Sequence, residues 1–143
     1  MKGIDTNIIV YAHRTDLPLH RTASQLVSDL SKGSEIWAIA WPSLYEFYRL
    51  VTHPKIFKEP SSRRKVYQVI ESLFEIPSLR ILSHGLSHFT HSQILADESD
   101  ATGNIAFDVQ IAAIFKEHGV ATLLTNDADF RRFRSLRVIN PFE

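Results

Sequence analysis

The sequence predicts an α/β fold of three layers, α/β/α, in which helices cover both faces of a central parallel sheet of about four to five strands. Short apolar segments alternate along the chain with segments of helical periodicity. Strands that are separated by helices favour right-handed crossovers, which make a sheet parallel and cover both of its faces. The length of 143 residues and the hydrophobic content of 44% predict a single domain over residues 1–143.

The N-terminal segment predicts a short strand followed directly by a helix. Residues 2–5 are strand-like, and either Thr6 or Asn7 can cap a helix that continues to Tyr11. One uninterrupted strand over residues 2–11 is the alternative. The polar triplet between the two apolar stretches argues against that strand, because it interrupts the apolar run with residues typical of helix caps.

The next three segments predict a helix, a strand and a second helix. Residues 20–30 carry apolar side chains at helical spacing, and Gly33 ends this helix. Residues 35–41 form a compact apolar run that is typical of a buried strand. Pro42 then suits the first turn of a new helix, in which Glu46 lies one turn further on.

The rest of the chain continues the alternation. Helices are predicted over residues 63–73, 87–96 and 104–118, and strands over residues 79–82 and 120–125. In the tail, residues 128–143, the sequence predicts a short helix followed by an edge strand at residues 137–139. Ser61 or Ser62 caps the first of these helices, and Gly119 ends the third.

Composition excludes several kinds of chemistry. Without cysteine the chain has no disulfide, no thiolate nucleophile and no cysteine zinc site, and we expect it in a reducing cytoplasm. Sixteen basic and sixteen acidic residues leave no net charge, so nucleic acid has only local patches to bind. An acid at position 5 and the lack of a long apolar run predict no membrane association. Glycine-rich phosphate loops and the G-x-S-x-G and H-E-x-x-H motifs are absent.

Four acidic residues lie beside or inside apolar segments, near predicted junctions of strands and helices: Asp5, Glu46, Asp108 and Asp127. Ligands of parallel sheets bind beyond the carboxyl ends of the strands, where the first and last of these acids lie. Two carboxylates about 4 Å apart repel by roughly 4 kcal/mol at an effective dielectric near 20. A divalent cation with a preference for oxygen ligands relieves that repulsion, so the sequence predicts a Mg²⁺ or Mn²⁺ site.

Asp108 is the strongest of these four candidates. Its helix, residues 105–115, is apolar almost all round and is therefore predicted to be buried, and an unpaired carboxylate there would cost several kcal/mol. The other three have open alternatives. Glu46 is compatible with an exposed helix face, Asp5 with a simple helix cap, and Asp129 competes with Asp127 for one position.

The order and spacing of these segments resemble the PIN-domain ribonucleases and, among them, the VapC-type toxins of toxin–antitoxin pairs. The residues that carry the resemblance extend over the whole chain: 4–12 (IDTNIIVYA), 43–47 (SLYEF), 51–54 (VTHP), 103–104 with 108–113 (GN and DVQIAA), 124–130 (LTNDADF) and 140–141 (NP). The first and last blocks are the most specific.

The resemblance implies a PIN-like fold with an acidic pocket for Mg²⁺ or Mn²⁺. It assigns Asp5, Glu46, Asp108 and Asp127 to the acidic quartet, Thr6, Asn7 and Thr125 to supporting polar positions, and Asp129 to a role that shares or replaces that of Asp127. It further implies a metal-dependent endoribonuclease that hydrolyses RNA phosphodiesters without a covalent enzyme intermediate. A cognate VapB-type antitoxin that inhibits the toxin, and a homodimer, are the partners it implies.

Two other functions remain open on sequence grounds. A receiver-like or phosphoryl-transfer α/β domain also gathers acids beyond parallel strands. Such domains have paired acids at the first strand or a lysine after the last one, whereas this chain has Asn7 in place of the second acid and arginines after Phe130. A catalytically silent PIN-like binding module is the second alternative. The complete acidic quartet argues against that loss of activity.

Overall fold

The computed structural model describes residues 1–143 and contains a five-stranded sheet in the order β3-β2-β1-β4-β5, with every neighbouring pair parallel. The elements are β1 (Lys2–Ile4), α1 (Thr6–His13), α2 (His20–Lys32), β2 (Trp37–Ala40), α3 (Trp41–Val51), α4 (Arg63–Phe74), β3 (Leu79–Leu82), α5 (His88–Ser99), α6 (Ile105–Glu117), β4 (Thr122–Leu124), a 3₁₀ helix (Ala128–Arg132) and β5 (Arg137–Ile139). The predicted parallel α/β/α fold is therefore confirmed.

Alternate residues of β2 belong to two separate apolar cores, one on each face of the sheet. Trp37 and Ile39 pack in a core with buried side chains of α1, α3 and α4. Ala38 and Ala40 pack in the other core, with buried side chains of α5, α6 and the 3₁₀ helix. Because side chains along a strand point alternately to the two faces, this division places helices on both sides of the sheet.

Gly3 allows α6 to pack closely on the central strand. A Cβ atom at this position would lie 2.8 Å from Cζ of Phe115, which is closer than carbon atoms can approach without a shift of the ring or the backbone. The ring of Phe115 is fully buried in the core that α6 shares with β4. A larger residue at position 3 would therefore force either the ring of Phe115 or α6, the helix that carries Asp108, to shift.

Two expectations about the ends of elements are wrong. The N-cap of α1 is Asp5, not Thr6 or Asn7: its backbone is extended, and its carboxylate accepts a hydrogen bond from the backbone N–H of Thr6. Aspartate is among the strongest capping residues, and it stands where the strand ends. β2 is shorter than residues 35–41, because Pro42 fixes the first turn of α3 and that helix begins at Trp41.

The tail has the predicted order of a short helix and an edge strand. The helix is a 3₁₀ helix, Ala128–Arg132, whose Phe130 is buried with Phe133 in the α6 core. The strand pairs with β4 at the edge of the sheet. None of the helices combines the length and the apolar character that crossing a bilayer requires.

Candidate metal centre

The two central strands, β1 and β4, bring the first acid next to the last polar segment of the chain. They are paired in parallel with Ile4 beside Leu124, so both end at the same edge of the sheet. Asp5 extends the pairing by one residue, since its N–H donates to the carbonyl of Leu124 at 3.0 Å. The hydroxyl of Thr125 donates to Oδ2 of Asp5 at 2.8 Å. Residues 120 positions apart in the sequence thus share one hydrogen bond.

Asp5 is the most deeply buried acid at this edge, with 5% of its surface exposed. Burial raises the pKa of its carboxyl group to about 7, and the negative charges of Glu46 and Asp127 add to that effect. The hydrogen bonds from Thr125 and from the backbone of Thr6 act in the opposite direction but do not outweigh burial. The carboxylate of Asp5 is therefore fixed in position by two donors in a place where its charge is unfavourable.

Asp108, Asp127 and Asp129 form a close group, because one carboxylate oxygen of each lies within 4.8 Å of those of the other two. Asp127 caps the 3₁₀ helix by accepting a hydrogen bond from the N–H of Asp129 at 2.9 Å, and this turn holds both side chains near α6. Asp127 and Asp129, which compete for one role in the sequence, therefore both reach the group.

Asp108 differs from the expectation of a buried carboxylate. It is only half-buried, because the first turn of α6 extends past the core and the continuous buried face begins at Val109. Burial still raises the pKa of Asp108 to about 7, and the negative charges of Asp127, Asp5, Glu46 and Asp129 act in the same direction. The five carboxylates thus influence one another as one cluster, which we call the acidic cluster.

Glu46 is half-buried on α3 and faces this cluster. Its Oε2 accepts a hydrogen bond from the hydroxyl of Thr6 at 3.1 Å. Its negative charge also contributes to the raised pKa values of Asp5 and Asp108. The open alternative of an exposed, solvated Glu46 is therefore not what the structure shows.

Thr125 and Asn7 connect the members of the cluster through hydrogen bonds. The hydroxyl oxygen of Thr125 accepts hydrogen bonds from Nδ2 of Asn7 at 3.2 Å and from the N–H of Asp127 at 3.0 Å. The same hydroxyl group donates its own hydrogen bond to Asp5. One hydroxyl group thereby uses its donor and both of its acceptor positions. This arrangement fixes the orientation of two carboxylate-bearing segments relative to α1.

Asn126 and Tyr11 extend this network and were not predicted. Nδ2 of Asn7 also donates to Oδ1 of Asn126, whose own Nδ2 donates to the hydroxyl of Tyr11 at 3.1 Å. Tyr11 lies four residues after Asn7 on α1, and Asn126 directly follows Thr125. The helical spacing of the first pair and the strand end at the second are the sequence signals that identify them.

The acidic cluster fits a hard divalent cation. Its five carboxylates form no ion pair with lysine, arginine or histidine. The mutual repulsion of these acids adds to burial in raising the pKa values of Asp5 and Asp108. All the charged donors are oxygens, which suit Mg²⁺ and Mn²⁺ rather than metals that prefer sulfur or imidazole.

One depression adjoins the cluster, and a second adjoins the first. A groove of about 1210 Å³ lies between α3 and α6 and has Glu46, Asp108 and Asp129 in its lining. An apolar cleft of about 340 Å³ lies between α3 and α4 and is lined mainly by aromatic and aliphatic side chains, among them Tyr67 and Phe74. Trp41 and Tyr45 line both depressions, so the groove and the cleft are continuous along α3.

Comparison with known proteins identifies the family. A family model described as PIN domain matches residues 3–136. VapC ribonuclease Mb2897 of Mycobacterium bovis and Ribonuclease VapC43 of Mycobacterium tuberculosis are each 35% identical over 143 residues, which cover 100% of this chain and 97% of theirs. The chain is a PIN domain of the VapC ribonuclease family. The resemblance drawn from the sequence is confirmed, and the family match favours a nuclease over a receiver-like domain.

Solved structures share the fold of this PIN domain. The chain aligns with VapBC2 from Rickettsia felis, bound to a DNA fragment from its promoter, at 22% identity and a TM-score of 0.68, covering 97% of each chain. It aligns with FitAcB from Neisseria gonorrhoeae at 23% identity and a TM-score of 0.69, covering 99% of each chain. At these identities the comparison supports the three-layer PIN-like fold.

Proposed function

We propose that this PIN domain, residues 1–143, is a metal-dependent endoribonuclease and a VapC-type toxin that hydrolyses RNA phosphodiesters in the cytoplasm. The observation that carries the proposal is a cluster of five carboxylates, free of ion pairs, at the carboxyl edge of the parallel sheet. The chain is also 35% identical over its full length to proteins named VapC ribonuclease. Such clusters hold Mg²⁺ or Mn²⁺ in enzymes that cleave phosphodiesters.

The ligands in this proposal are the four predicted acids, Asp5, Glu46, Asp108 and Asp127, with Asp129 as a fifth oxygen donor. When bound, Mg²⁺ or Mn²⁺ polarises the scissile phosphate and neutralises the charge that develops in the transition state. The polar residues around the ligands keep them in position before substrate arrives. Thr125 and the backbone of Thr6 hold Asp5, and the hydroxyl of Thr6 holds Glu46.

The groove between α3 and α6 gives an RNA strand access to the ligands. Asp5 lies at the buried end of the cluster, whereas Asp108 and Asp129 border the groove. A phosphate that enters from the groove therefore meets Glu46, Asp108 and Asp129 first. The groups that fix Asp5 behind them limit reorganisation during the reaction, which is how a site of this kind lowers an activation barrier.

Replacement of a buried ligand tests this proposal. We expect Asp5→Asn to reduce the cleavage of RNA in the presence of Mn²⁺ by at least about a hundredfold, because removing one preorganised charged group commonly costs that much. Asp97→Asn is the matched control, since Asp97 is an exposed acid on α5 that does not line the groove. Far-UV circular dichroism checks that both variants fold. Equal activity of wild type and Asp5→Asn would disprove the metal-nuclease mechanism.

The proposal also includes a VapB-type antitoxin, which we place in the apolar cleft between α3 and α4. Tyr67 and Phe74 are 55% and 53% exposed on α4, seven residues apart, and Trp41 and Tyr45 face them from α3. The apolar side chains of α3 and α4 form the two walls of the cleft, and the apolar face of a third helix fits between such walls. An occupant of this cleft would contact Tyr45, which also borders the acidic groove, and so would obstruct access to the cluster.

The antitoxin cleft and the proposed homodimer have separate tests. Phe74→Ala is expected to weaken inhibition by the antitoxin at least about tenfold, since buried aromatic anchors dominate many interfaces. Its RNA cleavage without antitoxin remains that of wild type, because Phe74 does not line the groove. Sedimentation equilibrium of the free toxin is expected to give twice the mass of the chain. An antitoxin that inhibits Phe74→Ala fully would place its binding surface elsewhere.

A further inference from the structure

Two exposed aromatic side chains flank the acidic cluster. Tyr45 on α3 is 67% exposed and Phe107 on α6 is 66% exposed, and both line the groove. Each directly precedes an acid of the cluster, Glu46 in the first case and Asp108 in the second. Successive residues of a helix point about 100° apart, so each ring stands beside its acid on the wall of the groove. Two unrelated helices therefore repeat one arrangement.

The position of these rings at a groove beside the acidic cluster distinguishes them from isolated exposed rings such as Phe89, and it favours a binding role. A ring in water loses the stabilisation that burial gives, and apolar side chains gathered at a depression mark binding surfaces. Trp41, half-buried one turn before Tyr45, and Ile105 on the opposite wall extend the apolar lining. The rings are separated by carboxylates, so a purely apolar occupant of the groove would bury charges without compensation.

A cation and several polar groups complete the groove. Arg49 lies one turn after Tyr45 on the same helix, is exposed, lines the groove and forms no ion pair. It offers attraction to a phosphate next to the repulsive acids. The side chain of Gln110, hydrogen-bonded to His84 at 3.0 Å, offers polar contacts at the same groove. Flat apolar rings, one free cation and amide groups are the elements that bind single-stranded nucleic acid.

We propose that Tyr45 and Phe107 stack on unpaired nucleobases on the two sides of the scissile phosphate and thereby set the position of the RNA strand in the groove. The inference rests on the proposed function, because the acidic cluster fixes where the phosphate lies. Bases within an A-form duplex are already stacked on each other and present no free face to the rings. Arg49 pairs with a neighbouring phosphate and offsets the repulsion from the acids.

Binding measurements separate this role from catalysis. In an Asp5→Asn background with Mg²⁺ present, fluorescence anisotropy of a labelled, unstructured oligoribonucleotide measures affinity without cleavage. Phe107→Ala is expected to weaken binding by about tenfold, the usual scale of one base–aromatic stack. Phe107→Tyr keeps the affinity, whereas Phe107→Leu loses it, because leucine is apolar but has no aromatic face. Tyr45→Ala and Tyr45→Phe form the corresponding pair on α3.

Phe89→Ala provides the matched control, because Phe89 is 76% exposed on α5 and lies outside the groove. It is expected to leave RNA binding unchanged, and a fully paired duplex is expected to bind at least about tenfold more weakly than the single strand. Equal binding of Phe107→Ala, Tyr45→Ala and the control would overturn the stacking role. The stacking role would also be overturned if Phe107→Leu bound the oligoribonucleotide as tightly as the protein with Phe107.

Two further outcomes are distinguishable. If the ring variants change the sedimentation mass and leave RNA affinity intact, the rings form a contact between copies of the chain, and the inference is wrong. If the Asp5→Asn protein with both rings intact binds no RNA and the wild type cleaves none, the proposed nuclease function itself fails. Binding and cleavage by the wild type with no effect of the ring variants overturns only the stacking.

Discussion

The acidic cluster has a buried half, which is Asp5, and a more exposed half, which is represented here by Asp108. The two are held in position differently. Asp5 follows a strand, is 5% exposed and is held by the hydroxyl of Thr125 and the N–H of Thr6. Asp108 lies in the first turn of a helix, is half-buried and accepts no hydrogen bond from the protein. Burial nevertheless raises the pKa of both carboxyl groups to about 7.

The difference shows two ways of keeping carboxylates close together. At the strand end a hydrogen-bond network fixes the geometry and partly compensates the charge. At the helix terminus only the position of the helix fixes the geometry, and the charge is opposed mainly by solvent. We therefore expect the buried half to respond to the loss of its hydrogen bonds and the exposed half to respond to the loss of its charge.

Thr125→Val gives the largest expected effect. Valine keeps the shape of threonine but removes the hydroxyl that bonds Asp5, Asn7 and the N–H of Asp127. We expect about a hundredfold loss of RNA cleavage and a decrease of about 1–3 kcal/mol in the free energy of unfolding, because buried polar groups lose their partner. Steady-state kinetics and urea unfolding measure the two effects.

Thr125→Ser is the control for that experiment, since it retains the hydroxyl and removes only a methyl group. It is expected to keep most of the activity and most of the stability. A valine variant with the kinetics of the serine variant would show that the network does not position the buried half of the cluster.

Asp108→Asn is expected to stabilise the metal-free protein at neutral and alkaline pH. The folded-state pKa of Asp108 is raised from 3.8 to about 7, so the folded wild type keeps a proton that the unfolded chain releases above about pH 4. The stability of the wild type therefore falls as pH rises from about 4 to 7, and asparagine removes this loss. After discounting for the exposure of Asp108, we expect a gain of about 2 kcal/mol at pH 8.

Thermal unfolding at several pH values without metal measures this gain, with Asp97→Asn as the matched acid outside the cluster. The difference between Asp108→Asn and wild type should vanish near pH 4. Adding Mn²⁺ at pH 8 is expected to raise the melting temperature of the wild type more than that of Asp108→Asn. The wild type has one more carboxylate to bind the cation, and a ligand that binds more tightly to the folded state stabilises it more. An Asp108→Asn variant less stable than wild type at pH 8 would contradict the electrostatic origin.

Gly3→Ala tests whether the exposed half depends on the packing of its helix. The added methyl group would meet the ring of Phe115 at 2.8 Å, so α6 or the ring must shift. We expect the free energy of unfolding to fall by about 1–2 kcal/mol, which is typical of overpacking. The activity should fall by a larger factor than the fraction of protein that is folded. Gly33→Ala is the control, because its φ is negative and a methyl group there would lie 3.3 Å from its nearest neighbour, the backbone oxygen of Asp29, and far from the cluster-bearing helix α6 in the chain. Full activity of Gly3→Ala would show that the position of Asp108 does not depend on the contact between residue 3 and Phe115.

Asn126→Ala is expected to have the smallest effect. It removes the bridge from Asn7 to the hydroxyl of Tyr11 but leaves both hydrogen bonds of Asp5 in place. We expect a loss of about 1 kcal/mol in stability and a loss of activity of severalfold, the scale of one partly buried hydrogen bond. Tyr11→Phe removes only the second of these hydrogen bonds and should therefore lower the stability by less than Asn126→Ala does. A loss as large as that of Thr125→Val would mean that Asn126 contacts substrate or metal directly.

The sequence predicted some of the site residues for reasons that the structure shares. Asp5 and Asp127 follow strands, and the carboxyl ends of parallel strands meet at one edge of the sheet, so local patterns predict that both acids lie at that edge. Their proximity along the edge follows from the pairing of β1 with β4. Glu46 depended almost wholly on the family resemblance, because an acid among aromatic residues on a helix is compatible with either face. Asn126 was not predicted, because its place after a strand indicates only that it lies at the edge of the sheet, and its hydrogen bonds to Asn7 and Tyr11 depend on the tertiary structure.

The burial of Asp108 and the groove were beyond sequence reasoning for another reason. Helical periodicity shows which residues share a face, but not where along its length a helix leaves the core. α6 leaves it at its first turn, which exposes Phe107 and brings Asp108 to the groove. The groove itself exists only because α3 and α6 flank the same edge from opposite layers.

The order of strands and helices and the positions of the acids relative to their junctions follow from the amino-acid sequence alone. Periodicity and cap chemistry act over a few residues, so they can be read locally. The tertiary structure alone decided which oxygens lie within 4.8 Å of one another, and which acid is buried. Those properties arise because β1 and β4 are neighbours in the sheet although about 120 residues separate them, and packing at that separation is not encoded in any local pattern.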